Sequence, residues 1–217
     1  MTDERYPEIM NEATAGTALR MRKDNDYRGK PKRYKHTYRV VPEGSEKPLF
    51  SCDVVGHSAH AEQNFLDSTG RPAFSMRPNR KIMPTQWFVI ESSGREIGRV
   101  DQQIIGKGAW AVFDASGAEI FRIADAETRV DRVGKALLGG STAKYCIMQS
   151  KRVLATMEKE PREKTTRKGL RGVLQAFLTP SDWVVRFSTE APELDIRLLA
   201  VAMVLLIDVT VTLDRVD

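Results

Sequence analysis

The sequence predicts a mostly β protein in which a curved sheet or barrel encloses one hydrophobic helix near the C-terminus. Three observations predict it: an unbroken apolar run late in the chain, a turn signal that occurs three times in the middle, and apolar–polar alternation beside those turns. The apolar run is the ten residues Leu198–Ile207, between Arg197 and Asp208. Crossing a bilayer takes about 20 such residues, so this run is too short to span. It also lacks the polar stripe that a surface helix turns toward water, and a helix that is apolar all round has to be enclosed. The helix is expected over about 194–207. Asp195 falls in its first turn, where negative charge suits the positive end of the helix dipole. Asp208 falls at the other end, where the dipole is unfavourable and a cationic partner or water is required; a salt bridge at the barrel mouth is the favoured account of Arg197 and Asp208.

The turn signal runs Phe65-Leu-Asp-Ser-Thr-Gly70, Val89-Ile-Glu-Ser-Ser-Gly94 and Val112-Phe-Asp-Ala-Ser-Gly117. Each copy has two apolar residues, an acid, two small residues and a glycine. The acid can accept backbone hydrogen bonds inside a turn, and glycine can take the positive φ that closes a short hairpin with a bulge. Flanking residues alternate with the period of a strand: Trp87 and Val89 oppose Phe88 and Ile90, while Ala109, Ala111 and Phe113 oppose Trp110 and Val112. Arg95–Val100 and Ala118–Ile123 supply the return strands, and three consecutive hairpins follow.

Earlier strands are read at His36–Val41 and Leu49–Val55, and a further pair at Lys144–Met148 and Arg152–Met157. A polar, basic loop is expected over 158–169, then strands at Val173–Phe177 and Trp183–Phe187. The alternating β-branched residues of Val209-Thr-Val-Thr-Leu213 suggest a last strand. A helix over 125–138 is weakened by Gly134, Gly139 and Gly140.

Composition places the 217-residue chain among ordinary soluble globular proteins, with 41% hydrophobic and 29% charged residues and a net charge of +5. The opening Met1-Thr-Asp-Glu-Arg-Tyr has no apolar core behind a basic head, so no signal peptide is read there. Cys52 and Cys146 stand far apart with no Cys-x-x-Cys spacing, and two free buried thiols are favoured over a disulfide. Residues 1–36 are polar and charge-rich, which predicts a mobile basic N-terminal arm ahead of a barrel domain over 37–217.

The acidic-turn hairpins, followed by a strand-flanked apolar helix that begins and ends with Asp195 and Asp208, resemble the tubby-like C-terminal superfamily. The similarity is to its LURP-one-related and phospholipid scramblase branch, over roughly residues 37–217. The resemblance implies a closed antiparallel barrel of about twelve strands threaded by a central hydrophobic helix. It also implies binding of phosphoinositide-type headgroups by basic residues on the barrel, as some members do. The chain departs from the scramblase pattern: it has no cysteine-rich palmitoylation cluster, no proline-rich N-terminal region and no transmembrane extension, so scramblase activity is not carried over.

Two basic stretches are the candidate binding residues. The first is the arm with Arg20, Arg22, Lys23, Lys30, Lys32, Arg33 and Lys35. The second runs from Lys144 to Gly172 and includes Lys151, Arg152, Arg162, Lys164, Arg167, Lys168 and Arg171. Anionic lipid headgroups would be drawn to them at ~1 kcal/mol per Lys or Arg near the surface; nucleic-acid phosphates would be drawn through counterion release. Three outcomes stay open: a solvated charged surface on a protein–protein interaction scaffold, a peripheral binder of anionic phospholipid, and a non-specific nucleic-acid binder. The lipid reading is preferred to nucleic acid, since no aromatic-interleaved stacking pattern occurs. It would place the protein in the cytoplasm, at the inner membrane surface.

Catalytic and metal readings fare worse. His57 and His60 have ligand-like spacing near Cys52, but no third and fourth zinc ligand stands at comparable spacing. Asp125, Glu127 and Asp131 lack the ordered oxygen spacing of a calcium loop. Ser58 and Cys52 have histidines as sequence neighbours but no orienting acid and no nucleophile elbow. The glycine-rich Gly106–Ala109 and Gly139–Thr142 do not match a phosphate loop. No enzyme activity, cofactor or metal is therefore expected. Trp87, Trp110 and Trp183 are read as core or rim residues.

Overall fold

The computed structural model describes residues 18–26, 35–55, 61–79, 85–102, 110–125, 144–161, 181–188 and 194–213. These residues form twelve strands and one helix. The strands are β1 (Ala18–Asp26), β2 (Lys35–Pro42), β3 (Phe50–Val55), β4 (Gln63–Asp67), β5 (Pro72–Pro78), β6 (Gln86–Glu91), β7 (Glu96–Gln102), β8 (Trp110–Asp114), β9 (Glu119–Asp125), β10 (Lys144–Gln149), β11 (Arg152–Pro161) and β12 (Ser181–Phe187); the helix α1 spans Ile196–Leu213. Each strand pairs antiparallel with its sequence neighbours, and β1 pairs with β12, so the sheet closes into a barrel. Closure removes the sheet edges that would otherwise invite pairing with other chains.

The helix fills the barrel. Every residue from Leu198 to Ile207 is buried, together with inward-facing Leu19, Met21, Phe65, Phe74, Trp87, Val89, Phe121, Ile123 and Met157 from the wall. Full burial of a Leu, Ile, Val or Met side chain stabilises by about 1.5–3 kcal/mol, so the all-round apolar surface of α1 is what makes an enclosed site its favourable one. The helix lies nearest β6, β7 and β8. There Gly98 allows the close approach: a Cβ at that position would lie 2.2 Å from the Phe113 carbonyl oxygen and 3.1 Å from Leu198 Cδ2.

The three expected hairpins are present, as β4–β5, β6–β7 and β8–β9. Each carries a register shift just ahead of the turn, and Gly70, Gly94 and Gly117 take φ of +82°, +89° and +85°. In the first and third turns the acid satisfies its own turn. Asp67 Oδ1 accepts from Thr69 N at 2.7 Å and Arg71 N at 3.1 Å; Asp114 Oδ1 accepts from Ser116 N at 2.9 Å and Ala118 N at 3.0 Å. The β10–β11 hairpin and the β12 strand also fall where the alternation put them. Cys52 is buried and Cys146 half-buried, both as free thiols. Trp87, Trp110 and Trp183 are buried.

Two expectations need correction. Residues 1–36 are not all an arm outside the barrel, because Ala18–Asp26 is β1 and pairs with both β2 and β12. Its inward residues, Leu19 and Met21, alternate with half-buried Arg20 and Arg22, and two core side chains are enough to hold a strand that has neighbours on both sides. Nor is Val209–Leu213 a strand, since α1 continues through Leu213. Extending a helix by one residue adds one hydrogen bond at little nucleation cost, which overrides the β preference of Val and Thr. Asp125, where a helix over 125–138 was expected to begin, is the last residue of β9; the rest of that range, the expected strand at Val173–Phe177 and the residues His57 and His60 lie outside the described residues.

Candidate functional site

Antiparallel pairing in sequence order sorts the connections between the two ends of the barrel. The ranges 43–49, 68–71, 92–95, 115–118, 150–151 and 188–195 lie at one end; 27–34, 56–62, 79–85, 103–109, 126–143 and 162–180 bridge strands at the other. The first is the tight-turn end; the second takes the label open end solely from the greater length of its connections. Charge follows the same division. By sequence the open-end connections hold fifteen Lys and Arg against four Asp and Glu, whereas the tight-turn connections hold four against five.

Within the open end the charge is concentrated further. The connections 27–34 and 162–180 carry nine basic residues against one acid, Glu163. They are bounded by the ends of β1, β2, β11 and β12, which are consecutive around the barrel in the order β2, β1, β12, β11. Two stretches over a hundred residues apart in sequence therefore start from one sector of one rim. Lys30, Lys32, Arg33, Arg162, Lys164, Arg167, Lys168 and Arg171 belong to these connections and lie outside the described residues. Lys35, paired with Asp26, marks the rim where the first connection rejoins the wall.

Other candidates fall elsewhere. Lys151 lies in the β10–β11 turn and Arg152 is the first residue of β11, both at the tight-turn end. They are separated from Arg162 by the length of β11, whose ten residues at ~3.3 Å each span about 30 Å. The stretch 144–172 is thus not one patch, because a strand carries its charges from one end to the other. Arg20 and Arg22 are committed to acids. Arg20 reaches Asp182 at 3.5 Å, Glu160 at 3.6 Å and Glu43 at 3.7 Å; Arg22 reaches Asp182 at 3.5 Å and Glu46 at 3.3 Å. Asp182 is 1% exposed and stands beside two guanidinium groups. Lys23 lies over the Tyr38 ring, 5.3 Å from its centroid, where cation–π attraction positions it.

The tight-turn end has its own charged cluster, which fastens the helix. Asp195 caps α1: its Oδ1 accepts from Arg197 N at 2.9 Å, and its carbonyl accepts from Leu199 N at 3.1 Å. Arg197 then bridges Asp195 at 2.6 Å and Glu91 at 2.7 Å. The Arg95 guanidinium, with Arg197 and the Ser93 hydroxyl behind it, holds the Glu91 carboxyl at about 2. The barrel-mouth salt bridge expected for Arg197 is realised here, with Glu91 as the partner; the side chain of Asp208 lies outside the described residues. In the sequence Glu91 reads only as the acid of its turn and Asp182 does not stand out, because Arg197 and Arg20 are 106 and 162 positions away.

Among the described residues no group of three His, Cys, Asp or Glu is placed to hold a metal ion. Among them, too, no helix is long and apolar enough to cross a membrane. No family model matches the chain and no curated protein matches it. One solved structure is similar, the X-ray structure of the Arabidopsis thaliana protein AT5G01750. It is 14% identical, the match covers 92% of this chain and 95% of that one, and the TM-score is 0.48.

Proposed function

We propose that this barrel is a non-enzymatic, tubby-like binding module that associates peripherally with anionic phospholipid headgroups through its open end. The supporting observation is the polarity of the molecule, with fifteen basic residues against four acids in the open-end connections and four against five at the other end. A negatively charged leaflet attracts such an end at ~1 kcal/mol per Lys or Arg close to the surface, and the attraction dies away within a Debye length. Because α1 occupies the interior, ligand contact belongs to the outer surface and rims. Recruitment is electrostatic: strong at low salt, weak at high salt, and dependent on anionic lipid.

The experiment is flotation with vesicles in which phosphatidylserine replaces phosphatidylcholine in steps. Recovery should climb with anionic content and collapse in high salt. Equal recovery on neutral vesicles would overturn the reading. Retention on single- or double-stranded nucleic acid in preference to anionic vesicles would replace it with the nucleic-acid alternative.

A further inference from the structure

Two residues that face each other across β11 and β12 carry polar groups that the fold does not use. Lys159 and Trp183 are register partners, one inward step nearer the open end than Met157 and Val185. Met157, Trp183 and Val185 belong to the core, and directly opposed residues of an antiparallel pair share a face. Lys159 therefore stands on the inner face of the wall. It is exposed, and among the described residues no carboxylate pairs with it. Strand alternation turns its neighbours Glu158 and Glu160 to the outer face, where Glu160 binds Arg186 at 2.5 Å and lies 3.6 Å from Arg20. The inward acid Asp125 stands opposite Tyr145, two strands away from β11. Trp183 is 6% exposed, with its ring 5.7 Å from that of Tyr145. A buried indole N–H ordinarily finds an acceptor, yet this one has none among the described residues. Nor is it enclosed, unlike the unpartnered Arg22 Nε, Asp101 Oδ1 and Ser188 Oγ. The small exposed part of Trp183 thus includes its N–H, beside Lys159.

We infer that Lys159 and the Trp183 indole N–H form a seat on the inner rim for one singly charged anionic group, the phosphodiester of a phospholipid headgroup. The inference rests on the open-end reading above and deepens it by naming the group that is recognised. Opposed residues of a strand pair stand about 5 Å apart, so an ammonium and an N–H on them can donate to the same phosphate. The bond from the ammonium is charge-assisted and the stronger of the two. One unpaired cation, with Glu158, Glu160 and Asp125 around it, matches a single negative charge and disfavours the several charges of a polyphosphate. Because α1 fills the interior, the headgroup reaches the seat while its acyl chains stay outside. Both groups stand on paired strands, so the seat does not draw on the basic connections.

The chain's three tryptophans, Trp87, Trp110 and Trp183, all stand within three residues of the open ends of their strands, so tryptophan emission reports on this rim. The full chain is titrated with monomeric dihexanoylphosphatidylglycerol, whose headgroup carries one charge. The wild type should give a saturable change in emission. Lys159→Ala should bind about tenfold more weakly, and Lys159→Arg should restore the affinity. Lys151→Ala removes the same charge at the tight-turn end and should match the wild type. Trp183→Phe keeps a ring, deletes the N–H and should weaken binding in the same direction; the exposed Lys159 decides the matter if that variant does not fold. Inorganic phosphate that binds as tightly as the lipid would support the seat and assign it to free phosphate. A preference for inositol hexakisphosphate would overturn the single-charge seat, as would an unchanged emission or a Lys159→Ala variant that binds like the wild type. If the protein still floats with anionic vesicles in those cases, the open-end reading survives the loss of the seat. A wild type that binds the short-chain lipid through Lys159 yet ignores anionic vesicles overturns the open-end reading and leaves the seat.

Discussion

The two ends of this barrel divide the chain's work between folding and charge. At the tight-turn end, short connections satisfy themselves: Asp67 and Asp114 each bind the backbone of their own turn, and the glycines take the positive φ that the bulged hairpins need. The middle member of the set differs by one methylene. Glu91 reaches past its own turn to Arg197, and so ties the hairpin to the first turn of the buried helix. At the open end the strands are bridged by longer connections whose sequences hold a large basic excess, and Asp182, beside Arg20 and Arg22, is the second residue of the strand that follows one of them. A repeated turn motif thus builds and seals one end, and the other is left to vary in length and charge. The lesson is that net charge, only +5 for the chain, hides a strong polarity that the connectivity reveals.

If that division holds, lesions near the tight-turn end should lower stability and leave vesicle binding by the folded protein unchanged. The largest effect is expected from Gly98→Ala. Its Cβ would meet the Phe113 carbonyl oxygen at 2.2 Å, and the forced shift of β7 against β8 and α1 should cost about 3 kcal/mol, read as a lowered urea midpoint. A smaller loss, about 2 kcal/mol, is expected for Glu91→Gln, which removes one of the carboxylate partners of the largely buried Arg197. That loss carries a pH signature. Glu91 is held at about 2, below its ordinary 4.5, so its ion pairs stabilise the folded state fully above pH 4.5 and progressively less as pH falls toward 2. Urea titrations of wild type and Glu91→Gln should therefore converge across that window. A difference that stays constant down to pH 2 would show that Glu91 does not fasten the helix through its charge.

Much of the wall was legible because its determinants are local. The acid–small–small–glycine turns announce themselves within six residues, and the enclosure of α1 follows from Leu198–Ile207 alone. What stayed hidden depends on distant partners. β1 reads as a charged arm because only Leu19 and Met21 mark its inner face, and its arginines are neutralised by acids on β11, β12 and the 43–49 turn. Asp182 gives no sign of burial in Ser181-Asp-Trp-Val-Val-Arg-Phe187, since what shields it includes side chains 160 and 162 residues earlier. The end of α1 was misread because Val209–Leu213 alternates like a strand, whereas a helix already under way needs no local encouragement. The two basic stretches are visible in the sequence, yet only the order β2, β1, β12, β11 shows that 27–34 and 162–180 join neighbouring strands and assigns Lys151 and Arg152 to the opposite end.

Charge reversal at each end in turn tests the central claim most directly. One variant carries Lys32→Glu, Arg33→Glu and Lys168→Glu at the open end; its counterpart carries Lys47→Glu, Arg71→Glu and Lys151→Glu at the tight-turn end, an identical change in net charge. Affinity for phosphatidylserine vesicles should fall by on the order of 100-fold or more in the first and stay near the wild-type value in the second. Equal losses in the two variants, or a greater loss in the second, would contradict the assignment of the open end as the anion-binding face.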